Sequence, residues 1–376
     1  MFGLVLRQLR LELTRTALTV FAISGVIVVI LILEGMLAGM YYQMRAAVLN
    51  RGGDLIVTQS GISNFIGARS ILPQTIRLDV EEIEGVEEAA PLTGISVIYE
   101  RDGSRTPLMA FVYDITGGPT EFIAGDGNLD AREIIIDEAL AIKYGLALGD
   151  PIALSDFEFR VGAVSVNSSA FFTPFVFMRY DDLIDFYFDS DIGADIATFP
   201  LLSFLLVAIE DGFEPTTVAA AIEERILEAD VFFPNQLAER DENLAREMIG
   251  PILGLLLYVS YGIGVVVVAM FLFASVRARL QEFGILKALG FKQRTLALGA
   301  IFEALIVTAL ALPLGIFLAN GLSLIIQEIA PIYLVLAAEP AAIIRTATAC
   351  ALFAVIGALF PVRMIARLDP ASVFKG

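Results

Sequence analysis

A single carboxylate, Glu303, lies inside the apolar run at residues 295–326. Few other side chains in this sequence are candidates for a chemical role. An ionisable group within a membrane segment is a functional candidate by default. Glu303 is also close in sequence to the basic residues Lys292 and Arg294, with which it can form an ion pair at the membrane interface. Both interpretations of Glu303 stay open at the level of sequence.

The remaining composition excludes several classes of enzyme. The chain has no His and one Cys, Cys350, which lies in an apolar run. The absence of His excludes a Ser-His-Asp triad and His-ligated zinc. The P-loop pattern G-x-x-x-x-G-K-[ST], the nucleophile pattern G-x-S-x-G and the calcium loop D-x-[DN]-x-[DN]-G are also absent. We therefore predict no catalytic residue, no metal site and no cofactor bound by this chain, which is expected not to be an enzyme.

The basic segment 277–294 is the strongest candidate for a binding site. It reads RARLQEFGILKALGFKQR, with apolar residues at roughly helical spacing and Gly290 placed to end a helix. A short amphipathic helix of this kind can be a passive connector. It can also dock into the groove of another protein.

Four glycines form two G-x-x-x-G patterns, Gly35 with Gly39 and Gly250 with Gly254. This spacing lets the backbones of two membrane helices approach closely. The glycines are therefore candidates for packing between two copies of the chain, and packing within one chain explains them equally well.

The elements that must position these residues are membrane helices. Hydrophobic residues make up 57% of the 376 residues, and the mean hydropathy is +0.76. Because about 20 apolar residues span a bilayer, the apolar runs predict four transmembrane helices. Their predicted bounds are 16–42, 248–276, 295–326 and 345–362.

Basic residues predict the orientation of these helices. Lys and Arg collect before the first span, in the loop 277–294 and in the tail 363–376, whereas the loop 327–344 has none. By the positive-inside rule both termini are cytoplasmic, and residues 43–247 and 327–344 lie outside. Residues 1–15 are predicted to form an amphipathic helix at the cytoplasmic interface. These features place the chain in the inner or plasma membrane as a multi-pass protein.

Residues 43–247 are predicted to form a mixed α+β extracytoplasmic domain inserted between the first and second spans. Within residues 41–249 there are 36 acidic and 13 basic residues, a balance that argues against a nucleic-acid partner. The spacing of apolar residues predicts alternating strands and helices in a split βαβ-like arrangement. The Phe-rich segment 171–177 is either an exposed apolar surface or a core strand with its loop.

Local signals within this domain predict particular helix ends. Asp137 is expected to cap a helix at 138–144 that stops at Gly145, and Thr216 or Thr217 is expected to cap a helix at 216–227. A turn is expected at Asp102 and Gly103.

Several segments resemble the FtsX/MacB-type ABC transporter permeases, a family that includes the LolC/LolE lipoprotein-release subunits. Residues 282–290, EFGILKALG, are similar to the family's R-x-x-E-I-G-I-L-R-A-L-G signature, and residues 361–373, PVRMIARLDPASV, are similar to its P-A-x-x-A-A-R-L-D-P-A-x-A-L ending. The start at residues 9–32 and the segments 134–150 and 159–164 also resemble the family, so the likeness spans nearly the whole chain.

The resemblance implies a permease subunit that pairs with a second copy or a paralogue and with ATPase subunits on separate chains, which bind the ATP. Segment 277–294 would be the coupling helix seated on the ATPase. The residues that match the signature are Glu282, Gly284, Lys287, Ala288, Leu289 and Gly290. ATP-driven movement would pass through the spans to the outer domain.

Two functions are compatible with this resemblance. One is export, or extraction from the membrane, of a lipoprotein, lipid, peptide or amphiphile, with a periplasmic adaptor or another outer-side protein as a further partner. The other is a non-transporting transmitter of the FtsX kind, which activates an extracytoplasmic enzyme such as a cell-wall hydrolase. A membrane-anchored receptor without an ATPase is a third interpretation, and the signature in segment 277–294 counts against it.

Overall fold

The computed structural model describes residues 11–67, 70–101, 103–189 and 201–367. Within them, four helices are long and apolar enough to cross a membrane. They are α1 (Leu13–Leu49), α7 (Gly250–Arg277), α9 (Gln293–Ile329) and α10 (Pro340–Arg367). The prediction of four apolar helices together with an α and β domain is confirmed. Most of the predicted amphipathic helix at 1–15 and of the tail at 363–376 lies outside the described residues.

The helices extend beyond the apolar runs from which they were predicted. Helix α1 continues seven residues past position 42 to Leu49, and buried Met44, Ala47 and Val48 fix this extension in place. Helix α10 begins at Pro340 rather than at 345. Proline suits the first turn of a helix, because its fixed φ is helical and no amide partner is needed there. Hydropathy marks where a helix is apolar, and packing and caps decide where it ends.

The described chain divides into two compact units. The helical unit contains residues 11–38, 250–325 and 335–367, and the sheet unit contains residues 39–249 and 326–334. Besides α7, α9 and α10, the helical unit contains the short helix α8 (Leu280–Ala288).

Ten of the strands described in the sheet unit form one sheet. They are β1 (Leu55–Gln59), β3 (Val86–Arg101), β4 (Ser104–Tyr113), β5 (Phe122–Ala124), β6 (Glu133–Asp137), β7 (Pro151–Leu154), β8 (Phe157–Ser165), β9 (Phe175–Arg179), β11 (Phe204–Ile209) and β12 (Ala229–Phe232). The strand order is β12-β1-β11-β3-β4-β9-β6-β8-β5, and β7 pairs with both β3 and β8. Most pairs are antiparallel, but β4 runs parallel to β9 and β6 runs parallel to β8.

Two further strands and five helices complete the sheet unit. Strands β2 (Leu72–Pro73) and β10 (Leu201–Leu202) pair with each other. The helices are α2 (Ile76–Glu81), α3 (Glu138–Tyr144), α4 (Tyr180–Asp189), α5 (Pro215–Arg225) and α6 (Pro234–Met248). The predicted βαβ-like alternation occurs at β6, α3 and β8, with β7 intervening in the chain as a short antiparallel strand.

Two apolar cores lie in the described part of the sheet unit, one toward each end of the sheet. The first packs α3 and α4 against β3, β4 and β6 to β9, with Phe159, Val176 and Phe186 fully buried. The second packs α2 and α5 against β1, β11 and β12, around Val80 and Val207. In each core, helices cover the apolar side chains on one face of the sheet. Alternate residues of a strand point to the same face, so one face can be apolar and buried.

The predicted ends of α3 are confirmed. The Asp137 carboxylate accepts a hydrogen bond from the Ala139 amide at 3.0 Å, and Gly145 closes the helix with φ +61°. The predicted cap of the later helix is wrong, because α5 begins at Pro215 and Glu214 is its N-cap without a side-chain hydrogen bond. Proline at the first position sets the start of α5 two residues ahead of Thr217. Asp102, half of the predicted turn, lies outside the described residues.

Candidate functional site

Helix α8 is held in the helical unit by one apolar face. Phe283 is buried in a small cluster formed by Val276 before the helix, Leu296 and Ala300 on α9, and Ile365 on α10. The helix ends in a Schellman motif, in which the Gly290 amide donates to Lys287 O and the Phe291 amide donates to Leu286 O, both at 3.1 Å. Gly290 has φ +91°, as the motif requires, so the predicted helix end at this glycine is confirmed.

The opposite face of this segment is exposed and largely apolar. Ile285 is 47% exposed, Leu289 is 72% exposed and Phe291 is 37% exposed. Exposed Glu282 and Lys292 lie in the same segment. Ile285, Leu289 and Phe291 form an exposed apolar ridge, with charged side chains beside it. The other face of α8 is packed against α9 and α10, which holds the ridge in place. Such a ridge is suited to a groove on another protein.

The six residues that match the signature fall into two groups. Gly284 is buried and Lys287 is half-buried, so these two belong to the anchored side of α8. Glu282, Ala288, Leu289 and Gly290 are exposed. The six residues leave out the exposed Ile285, which also matches the signature, and the exposed Phe291, which lies one residue beyond it. The signal that finds Ile285 is the helical period, since it lies four residues before Leu289 on one face of the segment.

Glu303 is buried on α9 and forms an ion pair with Arg279, which is also buried. Its Oε1 also accepts from Ser275 Oγ at 3.3 Å. The suggested pairing with Lys292 or Arg294 is therefore wrong, and both of these residues are exposed. Arg279 immediately precedes α8 as its N-cap residue, whereas Lys292 and Arg294 lie beyond the far end of α8. The chain reverses through α8, so the base that meets Glu303 comes from the short connection between α7 and α8.

A third side chain holds the same end of α7. Arg15 on α1 donates to the carbonyl oxygen of Ala274 at 2.7 Å and also to that of Ser275. The last carbonyl groups of a helix have no partner within the helix and carry its negative dipole end, so a guanidinium there is favourable. Arg15 and the pair of Arg279 with Glu303 thus fix the start of α8 to α1 and α9.

The glycine pattern on α1 contacts this same chain. A Cβ atom at Gly35 would lie 2.8 Å from Ala337 N, and one at Gly39 would collide with the carbonyl oxygen of Leu334. The Leu336 amide donates to Gly35 O at 3.0 Å. Packing within one chain therefore accounts for these two glycines. A Cβ at Gly254 would meet no atom within 4 Å.

A second polar cluster in the helical unit joins three of the long helices. Arg345 on α10 donates to Glu34 Oε2 on α1 at 2.6 Å and 3.0 Å, and the Tyr261 hydroxyl on α7 donates to Glu34 Oε1 at 2.8 Å. The sequence signal for it is Glu34, which interrupts the apolar run of α1. In the described residues, no three His, Cys, Asp or Glu side chains come together as a metal site would require.

Comparison with known proteins gives two family matches. The model of the FtsX-like permease C-terminal family matches residues 254–370, and that of the MacB-like periplasmic core domain family matches residues 16–225. An uncharacterized ABC transporter permease of Mycobacterium tuberculosis is 23% identical over 375 residues, covering 99% of this chain and 98% of the relative. One of Mycobacterium bovis is 24% identical over 385 residues, with the same coverage of 99% and 98%.

Two solved structures are similar to part of this chain. The periplasmic region of MacB from Actinobacillus actinomycetemcomitans is 12% identical and covers 52% of this chain and 96% of its own, with a TM-score of 0.37. The extracellular domain of the ABC-type transporter YknZ from Gram-positive bacteria is also 12% identical. It covers 48% of this chain and 100% of its own, with a TM-score of 0.35.

Proposed function

Because the chain belongs to the FtsX/MacB-type family of ABC transporter permeases, we propose that it couples ATP hydrolysis by a separate ATPase subunit to movement of the sheet unit. The permease is the non-catalytic membrane subunit, and the ATPase partner binds the ATP. The coupling surface is the exposed apolar ridge of Ile285, Leu289 and Phe291. This ridge is the observation that supports the proposal, because α8 is anchored on one face and exposes one large apolar side chain, and two more exposed apolar side chains follow directly after its end. Exposed apolar side chains clustered in this way mark a surface for contact with another protein.

The orientation we propose follows from the distribution of charge. Both termini and the segment 277–294 lie in the cytoplasm, residues 16–42, 248–276, 295–326 and 345–362 cross the membrane, and residues 43–247 and 327–344 lie outside. Lys and Arg favour the cytoplasmic side of short loops. The acidic balance of the sheet unit is compatible with a domain that leaves the cytoplasm.

The substrate class we propose is a lipoprotein, lipid, peptide or other amphiphile that is exported or extracted from the membrane. A second copy or a paralogue completes the pair of permease subunits, and Gly250 and Gly254 are the glycines we assign to that contact. A periplasmic adaptor is a further partner.

The test is co-purification with an ABC ATPase encoded beside this chain. The full chain is tagged, purified in nanodiscs with the co-expressed ATPase, and compared with the variant Leu289→Asp. Leu289 is exposed, so the variant keeps its fold, whereas Gly284→Asp would place a carboxylate on the buried side of α8 and disturb its packing. We expect at least roughly a tenfold loss of bound ATPase, as for a central apolar contact in an interface.

Leu78→Asp is the matched control. Leu78 on α2 in the sheet unit is 64% exposed, close to the 72% of Leu289, so this variant makes the same chemical change away from the ridge. It should retain the ATPase at the wild-type level. If the wild-type chain binds no ATPase, the proposed function is wrong. If Leu289→Asp binds as well as wild type, the ridge is not the coupling surface.

A further inference from the structure

Arg51, two residues after the end of α1, is completely buried. Its Nε donates to Ala47 O at 2.9 Å, within the last turn of α1, and its Nη2 donates to Ser168 O at 2.7 Å, in the loop before β9. One planar guanidinium therefore binds the end of a long helix and a distant loop at the same time. The last turns of α1, from Gly39 onward, belong to the sheet unit, as does this loop.

Four aromatic rings surround the Arg51 guanidinium. Its central carbon lies between 4.3 Å and 6.0 Å from each ring centroid, and the rings are those of Phe65, Phe111, Phe175 and Phe177. The parallel pairing of β4 with β9 places Phe111 opposite Phe177. Arginine stacks on aromatic faces, and this attraction is strongest where water is excluded. The Phe-rich segment thus supplies half of a cage for this one side chain.

The guanidinium is charged in this site. Burial lowers the pKa of Arg51 to about 9, and the charge of nearby Asp137 acts in the opposite direction. At neutral pH the side chain is therefore a cation. Nη1 is buried without a hydrogen-bond partner among the described residues. Burying a cation with one unpaired donor destabilises the folded state. A hydrophobic side chain of similar length would fill the cage with a smaller desolvation penalty, so stability alone does not favour arginine here.

Asn50 binds the same loop. Its Nδ2 donates to Val166 O at 3.0 Å, and its Oδ1 accepts from the Thr120 amide, also at 3.0 Å. Two consecutive residues at the end of α1 thus make directional bonds to the loop that leads into β9. The covalent chain alone would leave this end of the helix free to rotate relative to the sheet, whereas these bonds set its position.

The loop continues to a second contact within the sheet unit. Phe172 has φ +73°, an unfavourable backbone conformation for a residue other than glycine, and its ring lies 5.7 Å from that of Tyr333. Tyr333 belongs to the segment between α9 and α10, and the Phe171 ring also packs on it at 5.7 Å. The segment 166–177 therefore touches the end of α1 on one side and the connection between α9 and α10 on the other.

We infer that Arg51 is the positioning residue that joins the end of α1 to the segment 166–177, so that displacement of the first spanning helix is passed to β9 and the sheet. This inference rests on the proposed function for the origin of the displacement. The joint itself is a property of the sheet unit and can be tested without the ATPase. Arginine serves here because its rigid planar group bonds in two directions, which an aliphatic side chain cannot do.

The first arm of the test is hydrogen–deuterium exchange on the full chain in nanodiscs, without ATPase. Arg51→Met fills the cage with an aliphatic chain and removes both hydrogen bonds. We expect amides in the last turn of α1 and in the segment 166–177 to exchange roughly tenfold faster, because bonds from a charged donor are lost. Amides of β1 and β12 should be unchanged. Arg105→Met makes the same substitution at an exposed position on β4 and should leave all these segments at the wild-type rate.

The second arm compares exchange in the ATPase complex with and without ATP and vanadate. In the wild type, nucleotide trapping should change exchange in the segment 166–177. In Arg51→Met, the ATPase should still bind and hydrolyse ATP, but this nucleotide-dependent change should disappear. A residue with a merely structural role would alter exchange without removing the response to nucleotide.

Asn50→Ala is the second variant, for use if Arg51→Met does not fold. It removes the neighbouring bonds to Val166 O, Asn167 O and Thr120 and leaves those of Arg51, so it should act in the same direction with a smaller amplitude. Unchanged exchange in the segment 166–177 of whichever variant folds overturns the joint. A full nucleotide response in that variant overturns the transmission. If the wild type binds no ATPase, the proposed function fails, and with it the transmission, whereas the first arm still decides the joint.

Discussion

The carboxylate of Glu303 meets the guanidinium of Arg279 in a buried site between α9 and the start of α8. The two side chains are 24 residues apart, and both are withdrawn from solvent. A buried ion pair adds little to stability when compared with an apolar pair, but removing one partner leaves an uncompensated charge. The pair therefore fixes the position of α8 on α9, and its loss should be visible in stability.

Substitution of one partner of this pair should destabilise the protein more than substitution of both. We expect Glu303→Leu to lower the free energy of unfolding by about 3–5 kcal/mol, since Arg279 remains charged and buried. The double variant Arg279→Met, Glu303→Leu should regain most of that loss. The measurement is the thermal unfolding of the full chain in detergent. Glu328→Leu, an exposed position on α9, is the control. Equal unfolding temperatures for Glu303→Leu and the wild type would contradict the pairing.

A methyl group at Gly39 should be poorly tolerated, whereas one at Gly25 on the same helix should be harmless. The Cβ of Gly39→Ala would collide with Leu334 O, and that of Gly25→Ala would meet no atom within 4 Å. We expect the first variant to lose about 1–3 kcal/mol through overpacking. The second should gain roughly 0.5–1 kcal/mol, because alanine loses less backbone entropy than glycine in a helix. Thermal unfolding of both variants gives the comparison. If Gly39→Ala changes the oligomeric state while the monomer keeps its stability, the glycine pair acts between copies instead.

Asp241 should contribute to the stability of the sheet unit by an amount that falls as the pH rises from about 4 to about 6. Asp241 on α6 is fully buried and accepts from the amides of Phe65 at 2.7 Å and Ile66 at 3.1 Å. Burial raises its pKa to about 6, although the two amides act in the opposite direction. Between the unfolded pKa of about 4 and the folded value, the native state holds a proton that the unfolded state releases. The stability that this proton gives is present below pH 4 and is lost by about pH 6.

The size of this effect is about 3 kcal/mol for a pKa difference of about two units. Asp241→Asn removes the titration, so its unfolding free energy should vary less with pH over that window than the wild-type value. Thermal unfolding at pH 4.5, 5.5 and 7, followed by circular dichroism, measures the difference. Asp230→Asn, where the carboxylate also accepts a backbone amide but is closer to solvent, is the matched control. An identical pH profile for wild type and Asp241→Asn would refute the assignment.

Features that depend on composition or on neighbours within one turn could be predicted from the sequence. The apolar runs gave the four long helices, since length and hydropathy suffice for that. Asp137 and Gly145 gave the ends of α3, and Gly290 gave the end of α8, because caps depend on residues two to five positions apart. The prediction of a cap at Thr216 or Thr217 was wrong for a local reason. Proline is favoured at the first position of a helix, so the helix begins at Pro215 and both threonines lie inside it.

The charged pairs were beyond prediction for a different reason. Glu303 stands out in the sequence, but the segment 277–294 before it holds five basic residues, and only the reversal at α8 selects Arg279. The partners Glu34 and Arg345 are 311 residues apart. No local pattern distinguishes such a pair, because its energy arises only after two helices have packed.

The sequence by itself determined that this is a membrane permease with an acidic, mixed α and β unit, since bulk hydropathy, charge and a local signature carry that information. Only the tertiary structure decided where the Phe-rich segment lies and which groups surround Arg51. Phe111 and Phe177 come from strands far apart in the chain, and their parallel register brings the two rings to one guanidinium. Strand register is set by the packing of the whole sheet, so no stretch of sequence contains it.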